Sequence, residues 1–241
     1  MHLVDHIFIL LIFVVLPIYS AIDARRYLAR LEAGQPANQV RFFLETTILE
    51  WVFLLAVGIA WWALRRPITD LGFRTLEGGE LWGGAAVVVV MTGLLVYSWQ
   101  TTKRASDEEK AKQAAGLGTL VHFLPHTSRD LRYFFGVSIT AGIVEEIVYR
   151  GFVLWYLGSF IPLWIAVAVS SVAFGFAHSY QGATGAVRAG LVGLGFAIFY
   201  VLTGSVWLPI LAHIALDILQ GLMCVEILGK GENTVDAAVS R

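Results

Sequence analysis

An all-α fold, a polytopic transmembrane helical bundle of about seven spans, is predicted on three observations. Hydrophobic residues fill 57% of the 241 positions and charged ones only 15%, against about 25% in ordinary soluble domains. The mean hydropathy is +0.71. Apolar runs approaching the roughly 20 residues that cross a bilayer as a helix recur along the chain.

The first run, 4–22, has no Lys or Arg before it and no small-x-small cleavage site after it, while Arg25, Arg26 and Arg30 follow. It is therefore expected to be a retained span with its N-terminus outside, not a signal peptide. Spans 44–64 and 80–99 come next. The 105–133 connection is the one substantial soluble stretch. Its SDEEKAKQAA segment has the composition of a solvated or interfacial helix, and HTSRDLRYFF, with Ser128 as cap, leads into the next span. Spans 134–157, 162–179, 184–203 and 206–228 are joined by short turns and are expected to pack as one bundle. Residues 1–241 thus read as a single integral membrane domain.

Thirteen Lys and Arg residues fall on the side of the 23–43 and 100–133 loops, Arg188 at the start of the 184–203 span, and the tail with Lys230 and Arg241. Three (Arg65, Arg66 and Arg74) fall on the other. The positive-inside rule then puts the C-terminus in the cytoplasm of a multi-pass protein of the cell (inner) membrane. Trp51, Trp61, Trp62, Trp82 and Trp207 read as interface anchors in the lipid bilayer. A net charge of −1 gives no reason to expect nucleic acid, and the single Cys224 excludes an intrachain disulfide.

Against this background Glu145, Glu146, His178 and His213 stand out, because a charge at the bilayer centre costs roughly 2.5–3.5 kcal/mol. In AGIVEEIVYRGF, Glu146 and Arg150 are four apart with the acid first, the favourable order for an ion pair on one helix face. Glu145 is turned about 100° away, so the two acids cannot share Arg150 equally, and Glu145 is left for acid–base chemistry. The bland alternative is a buried charge network that locks two helices. His178 ends SSVAFGFAH, one turn after Phe174; a lone histidine on an apolar face is more often a satisfied core residue. In VWLPILAHIALDILQG, His213 and Asp217 share a face, and Pro209 frees the Ser205 carbonyl, a place for a bend. This pair could bind a metal, orient a water, or hydrogen-bond to itself. Glu50 and Glu226 are read as lying near span ends, where headgroups solvate them. Gly190, Gly193 and Gly195 suggest close helix packing. No HExxH motif is present, and Ser170 and Ser171 lack a GxSxG context.

Three ordered motifs carry a resemblance. EEIVYR at 145–150 fits EExxxR, FGFAH at 174–178 fits FxxxH, and HIALD at 213–217 fits HxxxN/D. The chain thereby resembles the CPBP family (CAAX-processing and bacteriocin-processing, or Abi) of intramembrane endopeptidases over a catalytic core of about 130–228. The resemblance implies hydrolysis of a peptide bond in a membrane-associated peptide or protein. By position, Glu145 would be the general base and, with His178, would activate the water. His213 and Asp217 would face the oxyanion or a metal, and Glu146 and Arg150 would shape the site and could engage the substrate backbone or a carboxylate. Family members are described both as metalloproteases and as metal-free glutamate proteases. The resemblance therefore allows a divalent metal such as zinc on Glu145, His178, His213 and Asp217, or none. Asp217 stands where some relatives carry Asn; an ionised Asp cannot donate to an oxyanion as an amide can. It would instead be protonated, orient His213, or bind metal. The competing readings are a non-proteolytic membrane scaffold or bacteriocin-immunity protein, and a small proton-relaying transporter. The intact motifs favour the enzyme, and no paired repeat with broken helices supports transport.

Overall fold

The computed structural model describes residues 1–35 and 38–229; the tail charges Lys230 and Arg241 lie outside the described residues. All regular structure among these residues is helical. Helix α1 runs over Leu3–Glu32, α2 over Gln39–Ala63 and α3 over Gly78–Arg104. The short α4 covers Asp107–Ala115, and α5 covers residues 128–158. Helices α6 (Leu163–Ala177), α7 (Gly182–Thr203) and α8 (Trp207–Leu228) follow.

Among the described residues five helices are long and apolar enough to cross a membrane: α1, α2, α3, α8, and α7 with its preceding turn. The other two expected spans differ for physical reasons. Helix α5 carries Glu145, Glu146 and Arg150 at its centre, and α6, at 15 residues, is shorter than a crossing needs. Residues 146–154 are buried without a break, so this part of α5 is enclosed by the other helices on every side. Helices α1 to α3 instead turn large apolar side chains outward, among them Leu10, Leu55, Ile59, Val89 and Leu94. That distribution suits hydrocarbon outside and charge inside.

Local chemistry accounts for the element ends. Ser106 caps α4 with Glu109 closing the box: the Glu109 N–H donates to Ser106 Oγ at 3.2 Å, and the Ser106 N–H to Glu109 Oε2 at 2.8 Å. At α5 the cap is Thr127, not Ser128, and Asp130 completes its box. Two helices contain π-helical turns. The one in α1, Leu11–Val15, precedes Pro17, which has no N–H to offer the turn below it. The one in α5 is Glu146–Val153 and contains the site. Pro209 produces no interior break, because α8 begins at Trp207 and proline is tolerated in a first turn. The carbonyl of Ser205 accepts from Thr203 Oγ1 at 3.3 Å instead.

The core joins Phe8, Ile12, Val57, Trp61, Val144, Val148, Phe152 and Phe174 from α1, α2, α5 and α6. Trp61 is thus a core residue and not an interface anchor. Its indole N–H donates to the Pro67 carbonyl at 3.1 Å, and its ring lies 4.7 Å from that of Trp155. The neighbouring Arg66 donates twice to the buried Asp5, at 2.7 Å each, clamping the start of α1 to the end of α2. Close approaches set the helices around the site. A Cβ on Gly142 would lie 2.5 Å from Ile214 Cγ1, and one on Gly175 would lie 2.7 Å from the Ala186 carbonyl. Gly193 also packs tightly, on Phe174, whereas the space beside Gly195 is open, so only part of the α7 glycine stripe serves packing.

Candidate active site

Four elements deliver the site. The π-helical turn of α5 carries Glu146 and Arg150, with Glu145 immediately before it. His178 follows the last residue of α6, Gly193 is on α7, and His213 and Asp217 are on α8. π-Helical turns of this kind concentrate at functional sites.

The expected Glu146–Arg150 pair is present, with Nη1 donating to Glu146 Oε1 at 2.8 Å, and both side chains are essentially inaccessible. Its reach exceeds one helix. Arg150 Nη2 donates to the Gly193 carbonyl at 2.9 Å, and the guanidinium sits against the Phe174 and Phe196 rings, 4.8 and 5.6 Å from their centroids. Glu146 Oε1 also lies 2.8 Å from His213 Nδ1. The network therefore ties α5, α7 and α8 together.

Both histidines are held by one ring nitrogen. His213 Nδ1–H donates to Glu146, and the ring stacks on Phe196 with centroids 5.1 Å apart. His178 Nδ1 is 2.8 Å from the Phe174 carbonyl, which can only accept, so this nitrogen carries the proton. In each ring Nε2 is then the nitrogen left without a hydrogen bond, and a ring oriented through one nitrogen can use the other for proton transfer. The two Nε2 atoms converge on Glu145: His178 at 3.8 Å from Oε1, and His213 at 3.9 Å from Oε2. These separations exceed a direct hydrogen bond. Glu145 Oε2 is buried and has no hydrogen-bond partner.

Asp217 Oδ2 is 3.7 Å from His213 Nε2, too far for a hydrogen bond. Glu146, from another helix, orients the imidazole instead; nothing in a single sequence marks that cross-helix contact. Sequence reasoning also misjudged Glu50. It is the twelfth residue of a 25-residue helix, close to its middle. Its Oε2 is buried without a partner, and the charges acting on it are those of Glu145, His213 and Asp217. The available signal was a glutamate within the apolar run ILEWVFLLAVG.

Ligands sharing one zinc at about 2.0–2.2 Å lie roughly 3.3–3.5 Å apart in a tetrahedron. The His–carboxylate pairs among the four candidate ligands here are 3.7, 3.8 and 3.9 Å apart. Among the described residues no group of three or more His, Cys, Asp or Glu side chains is placed to hold a metal.

Fold and site together define a multi-pass helical membrane protein with carboxylates and imidazoles enclosed at its centre. Residues 127–219 match the family model described as type II CAAX prenyl endopeptidase Rce1-like. This stretch is a domain of the CAAX protease family, a family of hydrolases to which the three motifs pointed. None of the curated proteins and none of the solved structures matches the chain.

Proposed function

We propose that the protein is an intramembrane endopeptidase that hydrolyses a peptide bond of a membrane-associated substrate with a water activated by Glu145 and His178. The observation carrying this reading is the position of Glu145. Its buried, unpartnered Oε2 and its Oε1 face two imidazole Nε2 atoms at 3.9 and 3.8 Å. Glu146, by contrast, is committed to Arg150 and His213. A carboxylate free of structural bonds, beside oriented imidazoles, can accept a proton from water.

In the proposed cycle a water donates one O–H to Glu145 and the other to His178 Nε2. Glu145 takes the first proton as the oxygen attacks the scissile carbonyl. His213, as an imidazolium, donates from Nδ1 to Glu146 and from Nε2 to the developing oxyanion. Glu145 then returns its proton to the departing nitrogen, the C–N bond breaks, and a carboxylic acid and an amine remain. Arg150 keeps Glu146 in place and so acts through His213. The reading comprises one integral membrane domain with its catalytic core at about 130–228, the N-terminus outside and the C-terminus cytoplasmic.

The test is a comparison of new peptide N-termini in membranes expressing wild type or Glu145→Ala at matched levels. Cleavage sites that vanish with Glu145→Ala, while the variant unfolds at the wild-type temperature, support the assignment. Identical profiles from two folded, abundant proteins overturn it in favour of the scaffold.

A further inference from the structure

Glu50 has no part in the three motifs, yet α2 aims it at the same centre. The buried residues of α2 include Phe43 and Val57, and Glu50 is seven residues from each, on the same helix face. Phe43 packs edge-on to Phe134 of α5 at 5.5 Å, and Val57 joins Val144 and Val148 of α5 in the core. Beside Glu50, the Trp51 indole donates to Thr140 Oγ1 at 3.0 Å. Glu50 therefore faces α5 between the levels of Phe134 and Val144, alongside the turn that leads into Glu145.

Donors and acceptors around this centre do not balance. The carboxyl oxygens Glu50 Oε2, Glu145 Oε2 and Glu146 Oε2 are buried without a donor, and among the side chains of the described residues Arg150 Nε is the one buried donor there that lacks an acceptor. A bare carboxylate oxygen near the middle of an apolar helix is costly, and function is the usual reason that one persists. An extended peptide main chain brings N–H donors in series, the complement of such a surplus.

We infer that Glu50 is a substrate-anchoring residue, which accepts a main-chain N–H of the bound peptide on the α2 side of the site. This rests on the endopeptidase reading and extends the site to a helix outside the matched domain. Anchoring requires an acceptor oxygen at this position, so glutamine can replace glutamate whereas leucine cannot. Leucine also removes the donorless buried oxygen, so it leaves the folded protein at least as stable.

Wild type, Glu145→Ala, Glu50→Gln and Glu50→Leu are expressed in membranes at matched levels. The Glu145-dependent N-termini are then quantified over time, and each full-length protein is melted in detergent. Glu50→Leu should lower the rate of appearance of these N-termini several-fold, up to about tenfold, the worth of one hydrogen bond. Glu50→Gln should stay within about threefold of wild type, and neither variant should melt lower. Wild-type cleavage by Glu50→Leu overturns the anchoring role, as does a loss of cleavage accompanied by a lowered melting temperature, the mark of a structural residue. Absence of Glu145-dependent N-termini from wild type itself overturns the endopeptidase reading and the anchor together.

Discussion

Replacing Arg150 with alanine should cost the protein far more stability than replacing Glu145. The guanidinium makes a 2.8 Å bond to Glu146 and a 2.9 Å bond to the Gly193 carbonyl, and it fills the space against Phe174 and Phe196. Its removal leaves Glu146, which is fully buried, with His213 as its remaining partner. Stranding one member of a buried ion pair costs about 3–5 kcal/mol. The orphaned carbonyl adds about 1–3 kcal/mol, not additively with the first loss. For a chain of this size 1 kcal/mol moves the melting temperature by about 2–4 °C, so Arg150→Ala should melt at least about 6 °C lower in detergent. Glu146→Gln/Arg150→Met should recover part of that loss, because no uncompensated charge remains. Arg150→Ala melting within about 2 °C of wild type, or a double variant worse than the sum of its singles, would refute the argument that Arg150 holds α5, α7 and α8 in register.

Two further predictions concern packing and pH. Gly142→Ala puts a methyl 2.5 Å from Ile214 Cγ1 and 3.0 Å from the Ile214 nitrogen. It should destabilise by about 1–3 kcal/mol and weaken cleavage by moving His213 away from Glu146; unchanged melting and cleavage would show that the α5–α8 approach is not needed. The carboxyl of Glu109 is held below its ordinary value by the Ser106 N–H and hydroxyl. Because the folded value is the lower one, its contribution to α4 is present above the ordinary range and is lost as pH falls through the depressed value. Amide exchange over residues 107–115 should accelerate below about pH 4 in wild type and show a weaker acid response in Glu109→Gln; equal acid sensitivity in both would remove the cap from the explanation.

Much of this architecture was legible because its causes are local. Composition forced the membrane, the four-residue spacing forced Glu146 onto Arg150, and Ser106 with its acidic first turn announced α4. What escaped depends on depth and on cross-helix contact. Starting the second span at 44 placed Glu50 near an interface; the helix begins at Gln39, which moves the same residue to its middle. Trp61 has an interfacial composition, but Arg66, Trp155 and the Pro67 carbonyl, which surround it, come from outside its own apolar run. The hydrogen bond from His213 to Glu146 spans 67 positions, so no periodicity encodes it, whereas the pairing of His213 with Asp217 suggested by their spacing is too long to be one.

The two adjacent glutamates show why the site requires this scaffold. A charge-rich turn is tolerable in a bilayer only where other helices, and not lipid, surround it, and the unbroken burial of residues 146–154 meets that condition. Within the enclosure Glu146 is bound to Arg150 and His213, so its negative charge becomes part of the framework. Glu145, one residue earlier, points elsewhere: its nearest polar neighbours, the two imidazole Nε2 atoms, stay at 3.8 and 3.9 Å, beyond a hydrogen bond, whereas Glu146 leaves only Oε2 unpaired. If both acids were satisfied, the centre would be a stable cross-brace with nothing left to accept a proton. If neither were, the helices carrying His178 and His213 would lack the network that fixes them against α5. On the proposed reading this division of roles between neighbours makes one helix both strut and active site, and it predicts that the acids cannot exchange tasks: Glu146→Ala should cost stability first, Glu145→Ala activity first.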